Sequence, residues 1–142
     1  DKNKNLLGLK SRWIDVKSSN FNGNFSPDEA DALKNLLRNE LQNIPPNDIK
    51  IISPFRDVVN NLKAQIPNLR GSIGTIHTMQ GKEATLVIFV LGGATNGARA
   101  WAASKPNLLN VALTRAKEYI FIIGDKDAYS CLPFFGEAAK LL

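Results

Sequence analysis

Two uninterrupted apolar runs constrain this chain most: Leu86 to Leu91 (Leu-Val-Ile-Phe-Val-Leu) and Tyr119 to Gly124 (Tyr-Ile-Phe-Ile-Ile-Gly). Neither alternates, so neither suits a strand with one wet face. Both suit strands buried on two faces, the condition of a parallel sheet covered by helices. Ile49 to Ser53 is a shorter run of the same kind, and Gly74 to His77 and Trp13 to Val16 carry strand formers. Stretches of helical period lie between them. Strands alternating with helices imply right-handed crossovers and a three-layer α/β domain with a mainly parallel sheet.

The helix boundaries are written in cap chemistry. Ser26-Pro27-Asp28-Glu29 reads as a capping-box start, with Ala30, Leu33, Leu36, Leu37 and Leu41 as the apolar stripe and Pro45-Pro46 as the stop. Ser53-Pro54 is expected to cap a second helix whose apolar face is Val58, Val59, Leu62 and Ile66. Gly92 to Lys105, with its three glycines, reads as a long loop, and Leu108 to Ala116 as a helix. Asp125 is expected to cap a last short helix ending at Leu132-Pro133. Residues 1–11 read as a connection or frayed end and residues 12–142 as one domain. Because Met79 is the only methionine, the chain is expected to be a piece of a longer protein.

One cysteine, Cys131, and one histidine, His77, exclude an intrachain disulfide and a structural zinc site. Cys131 is expected in the core. No run approaches the 18 or so apolar residues of a membrane helix, and an intracellular, cytoplasmic setting is the expectation. The net charge is +5, and it is unevenly spread. From Arg56 to Lys117 there are eight basic and two acidic residues, a local +6, so the remainder is nearly neutral. A basic middle suits a polyanion, although ordinary solvated surface gives the same count.

Ligands on parallel sheets bind beyond the carboxyl ends of the strands. Ser53-Pro54-Phe55-Arg56, Thr75 to Glu83 and Gly124-Asp125 fall at such ends. No Gly-x-x-x-x-Gly-Lys-Ser/Thr or Gly-x-Gly-x-x-Gly is present, which counts against a stand-alone Rossmann-like enzyme. Two segments remain unusual. Gly74-Thr-Ile-His-Thr-Met-Gln-Gly-Lys-Glu-Ala84 can turn Thr75, His77 and Thr78 toward a phosphate backbone and Gln80 and Glu83 elsewhere, with Gly81 allowing a tight turn. Asn110-Val-Ala-Leu-Thr-Arg-Ala-Lys117, read as helix, sets Asn110, Thr114 and Lys117 on neighbouring positions and points Arg115 away from them. By residue type alone, His77 equally suits a hydrogen-bonded core histidine, Glu83 a solvated carboxylate and Arg56 a surface arginine. Trp101 is expected to pack against the sheet, with stacking on a base as the alternative.

Thr-Ile-His-Thr-Met-Gln-Gly-Lys-Glu resembles motif V of superfamily 1 helicases, and Asn-Val-Ala-Leu-Thr-Arg-Ala-Lys resembles their motif VI, in the family's order and spacing. Ile51-Ile-Ser-Pro-Phe-Arg56 is similar to motif IV, and the Trp13 strand and Ser26 helix start resemble the branch that includes the nonsense-mediated-decay helicase. The resemblance covers residues 12 to 131 or so and implies the second, C-terminal RecA-like domain of an ATP-dependent helicase. It assigns Arg115 as the arginine finger. It sets Glu83, Gln80, Gly81 and Arg56 beside the nucleotide, and Thr75, His77, Thr78, Asn110 and Thr114 on single-stranded nucleic acid, DNA in preference to RNA. ATP and Mg2+ would be held mainly by the first RecA-like domain of the longer protein, its other partner, leaving this domain inactive alone and in need of no metal of its own. A nucleic-acid-binding module of the same fold, without turnover, is the alternative.

Overall fold

The structure, a computed structural model, describes residues 11–75, 78, 84–104, 116–132 and 135. Five strands form one sheet: β1 (Arg12–Asp15), β2 (Ile49–Ser53), β3 (Ile73–Thr75), β4 (Ala84–Val90) and β5 (Ala116–Gly124). Their order is β1-β5-β4-β2-β3, and every neighbouring pair is parallel. The helices among the described residues are α1 (Pro27–Asn39), α2 (Arg56–Gln65), α3 (Asn96–Ala103) and α4 (Lys126–Ser130). The α/β architecture is the expected one.

The apolar runs lie where their composition demands. Every residue of β4 is buried, as are Phe121, Ile122 and Ile123 of β5, so the two central strands are covered on both faces. Leu33 and Leu36 of α1 and Val58, Val59 and Leu62 of α2 are buried in the same core. Short 3-10 turns at Pro46–Asp48 and Pro67–Ser72 lead into β2 and β3.

Several local expectations are corrected. Gly92 to Lys105 is not a plain loop, because α3 lies inside it. The Thr95 side chain accepts the Ala98 amide and caps that helix, and a run of alanines, the best helix formers, carries it. Ser53 does not cap α2; the N-cap is Phe55, with no side-chain hydrogen bond, and the Ser53 hydroxyl instead accepts the Phe55 amide at 3.3 Å. Cys131 is exposed rather than buried, because it caps the end of the one-turn α4 with its thiol toward the Ala128 carbonyl. The α1 stripe holds, but the helix stops at Asn39, and Leu41 and Ile44 are buried from the turn that follows. Asp125 does cap α4, accepting the Ala128 amide at 3.1 Å. The helix expected from Leu108 lies outside the described residues up to Arg115, where β5 begins one residue later. Residues 76 and 77, the expected end of the third strand, also lie outside them.

Candidate nucleic-acid interface

All five strands run parallel, so their carboxyl ends meet at one edge of the domain. That edge has two parts, an inner part over β1, β5 and β4 and an outer part over β2 and β3.

In the inner part, polar groups are matched to one another. Beyond β1, the Lys17 ammonium is shared by Asp15 at 3.0 Å, Asp125 at 2.6 Å and Asp127 at 3.0 Å. The hydrogen bond to Asp125, aided by those to Asp15 and Asp127, holds Lys17 well above the ordinary lysine range. The indole N–H of Trp13 donates to the Gly124 carbonyl at 3.2 Å, tying β1 to the end of β5. Beyond β4 the chain turns through Gly92 and Gly93, at φ +64° and +94°. Both are left-handed conformations, and space is short as well: a β-carbon on Gly92 would lie 2.6 Å from the Asn24 carbonyl oxygen and 2.8 Å from Val58.

Glu29 holds this turn. Half of the expected capping box forms, since the Ser26 hydroxyl accepts the Glu29 amide at 3.2 Å. The Glu29 carboxylate, only 2% exposed, turns inward and accepts the Gly92 amide at 2.9 Å. Burial pushes its pKa up to about 7, against the opposing effect of that amide. Opposite it, the buried Tyr129 hydroxyl donates to the Gly92 carbonyl at 3.0 Å, and burial raises the phenol above its usual range. Gly92 is thereby clamped through both backbone groups. Asn24 takes the next two amides, Gly93 at 3.0 Å and Ala94 at 3.2 Å, and the Arg99 guanidinium donates to the Gly93 carbonyl at 2.9 Å. Glu29, Arg99, Asp125 and Tyr129 border a cavity of about 250 Å3. The Glu29 clamp was not foreseen; a glutamate at the third helical position signals a cap, and nothing in the sequence signals Gly92 as its partner.

In the outer part, polar groups face solvent. Arg56 opens α2 and is exposed. Its neighbour Asp57 turns back instead, accepting the Asn24 amide at 2.7 Å and fixing the turn at residues 22–25. Thr75 ends β3, opposite Ser53 of β2, and Thr78 follows it. The Thr78 hydroxyl donates to the Thr75 carbonyl at 3.0 Å and its amide to the Thr75 hydroxyl at 3.5 Å, a compact exposed hydroxyl pair. Arg56, Thr75 and Thr78 therefore share one edge, as their positions after strands predict. Trp101, expected against the sheet, is 47% exposed on α3, its ring tilted 37° to Phe55 at a centroid distance of 5.7 Å. The pattern could not reveal this while α3 read as a loop. His77, Gln80, Gly81, Glu83, Asn110, Thr114 and Arg115 lie outside the described residues. No helix among the described residues is long and apolar enough to cross a membrane.

The family model described as "AAA domain" matches residues 7–127. The chain is 31% identical over 124 residues to the DNA replication ATP-dependent helicase/nuclease DNA2 of Gallus gallus, covering 84% of this chain and 12% of that protein. It is 27% identical over 112 residues to the DNA replication ATP-dependent helicase/nuclease JHS1 of Arabidopsis thaliana, covering 76% of this chain and 8% of that protein. The chain thus spans about a tenth of the length of these curated relatives. With its all-parallel sheet and a family match over most of its length, this chain belongs to the AAA-domain family of superfamily 1 helicases.

Proposed function

We propose that this chain is the second motor domain of an ATP-dependent DNA helicase, supplying an arginine finger and contacts to a single strand. The observation that carries the reading is the family match across residues 7–127, which spans all three motif-like segments. Two features of the fold support it. The carboxyl edge brings the exposed Arg56 guanidinium and the half-buried Thr75 hydroxyl to one side, donors suited to phosphate oxygens, with the Thr78 hydroxyl turned onto the Thr75 carbonyl beside them. The sequence around that edge is the basic part of the chain.

The described residues do not fit a Mg2+–triphosphate. The helix starts at Ser26, Thr95 and Asp125 are occupied by their own cap side chains, and α2 opens on Phe55 with no lysine beside it. This reading assigns ATP and Mg2+ mainly to a first RecA-like domain in the longer protein. In this reading Arg115 reaches across the cleft and its planar guanidinium stabilises charge on the transferring phosphoryl group. Glu83, Gln80 and Gly81 line the same cleft, with Arg56 at its margin. Thr75, His77, Thr78, Asn110 and Thr114 meet the strand, mainly through its backbone.

Arg115→Ala in the full-length protein tests the proposal. ATP turnover should fall by about three orders of magnitude, with melting temperature and oligonucleotide affinity nearly unchanged. Arg115→Lys should not restore it, because an ammonium cannot reproduce the planar fork. Turnover near the wild-type rate in Arg115→Ala removes the finger, and a fall that merely tracks lost folded protein makes Arg115 structural.

A further inference from the structure

Among the described residues, Trp101 is the large apolar side chain left substantially exposed. Its carrier is well anchored. The start of α3 is held by the Thr95 cap, by Arg99 on the Gly93 carbonyl and by the two amides on Asn24, and Ala102 and Ala103 are buried beneath it. Phe55, itself buried, packs against the indole and restricts its tilt. This residue stands two positions beyond Ser53, whose strand partner is Thr75, and immediately before Arg56. The indole therefore sits at the same end of the sheet as the exposed guanidinium and the hydroxyl pair.

We propose that Trp101 is a stacking platform for one base of a single DNA strand whose phosphates pass Thr75 and Thr78. The inference rests on the reading of this chain as a strand-contacting helicase domain. Its chemistry differs from that of the edge beside it. Guanidinium and hydroxyls engage phosphates and are weakened by salt, whereas an indole face engages any base by stacking and is not. A fixed aromatic beside a cationic track is the combination that holds single strands without reading their sequence. The local +6 from Arg56 to Lys117 favours a polyanion over an apolar protein partner at this position.

The test is fluorescence anisotropy on the full-length protein, with an oligodeoxythymidine and an abasic oligomer of the same length. Wild type should prefer the thymidine strand. Trp101→Ala should lose about five- to a hundredfold of its affinity for that strand, lose little on the abasic one, and keep the salt dependence. Trp101→Phe should retain most of the affinity, which separates stacking from a folding defect. Equal binding by wild type and Trp101→Ala, or equal losses on both oligomers, overturns the stacking role and leaves the domain reading standing. Failure of wild type to bind either oligomer at low salt brings down the domain reading and this inference with it.

Discussion

The two halves of the carboxyl edge use similar residue types for opposite ends. Over β1, β5 and β4, Lys17, Glu29, Asp125 and Tyr129 spend their polar atoms on one another and on the backbone of the Gly92 turn. Over β2 and β3, Arg56 and Thr78 face water, Thr75 is half-buried, and Trp101, packed on Phe55, is half-exposed. For Glu29 and Tyr129 the difference follows from burial. A buried carboxylate or amide is expensive to leave unpaired, so the inner side is closed by mutual satisfaction. Exposed polar groups cost little to leave to solvent, and on the outer side the Arg56 guanidinium stays open to water. The inner half positions α3; the outer half, with the residue α3 carries, is the surface proposed to meet the strand.

Disturbing the inner half should cost stability. The largest effect is expected from Gly92→Ala. The left-handed φ costs about 1–3 kcal/mol for a side chain, and crowding against the Asn24 carbonyl and Val58 adds a further penalty of about 1–3 kcal/mol. Denaturant unfolding should show a loss of several kcal/mol together with weaker strand binding, because α3 is displaced. Unchanged stability in Gly92→Ala breaks the distinction between the halves.

Next in size is a pH effect from Glu29. Its carboxyl titrates near 7 in the folded state, above the ordinary 4.5, because burial disfavours the charged form. The folded state then binds more protons than the unfolded one between those values. The Glu29 contribution is therefore fully present below about pH 4.5 and is lost as pH rises through 7. At 1.36 kcal/mol per unit this amounts to at most about 3 kcal/mol. Glu29→Gln keeps an acceptor for the Gly92 amide and cannot ionise, so the stability difference between wild type and variant should change with pH only across that window. Parallel stability curves from pH 5 to 8 contradict a buried, protonatable clamp.

The smallest effect on the fold is expected from Arg56→Ala on the outer side. Melting should be unaltered, since among the described residues Arg56 makes no ion pair. Apparent ATP affinity of the full-length protein should drop modestly, with single-strand affinity nearly unchanged. A melting loss without a change in ATP affinity would move Arg56 to the inner, structural class.

Much of the fold was legible because burial writes itself into composition. The runs at 86–91 and 119–124 suit two-sided strands, and Ser26 and Asp125 announce their helices through cap chemistry that depends on neighbours three residues away. The places of Arg56, Thr75 and Thr78 at the carboxyl edge were legible too, because each lies at or within three residues of the end of a strand. Where local chemistry offered two competent answers, reading along the chain chose wrongly. Glycines and alanines after β4 suggested a loop, yet Thr95 and the alanine run make a helix once Gly92 and Gly93 have turned the chain.

What the sequence by itself determined is the class of fold, the succession of its five strands and the family, all properties of periodicity and of short contiguous motifs. Only the tertiary structure decided that Glu29 leaves its capping box for Gly92, 63 residues away, that Asp57 serves the turn at Asn24, and that Trp101 stands outside the core against Phe55. These contacts join segments far apart in the chain. Each was selected among locally equivalent hydrogen bonds and packings by which distant backbone group arrived unsatisfied at the carboxyl edge of the sheet, and no local pattern records that arrival.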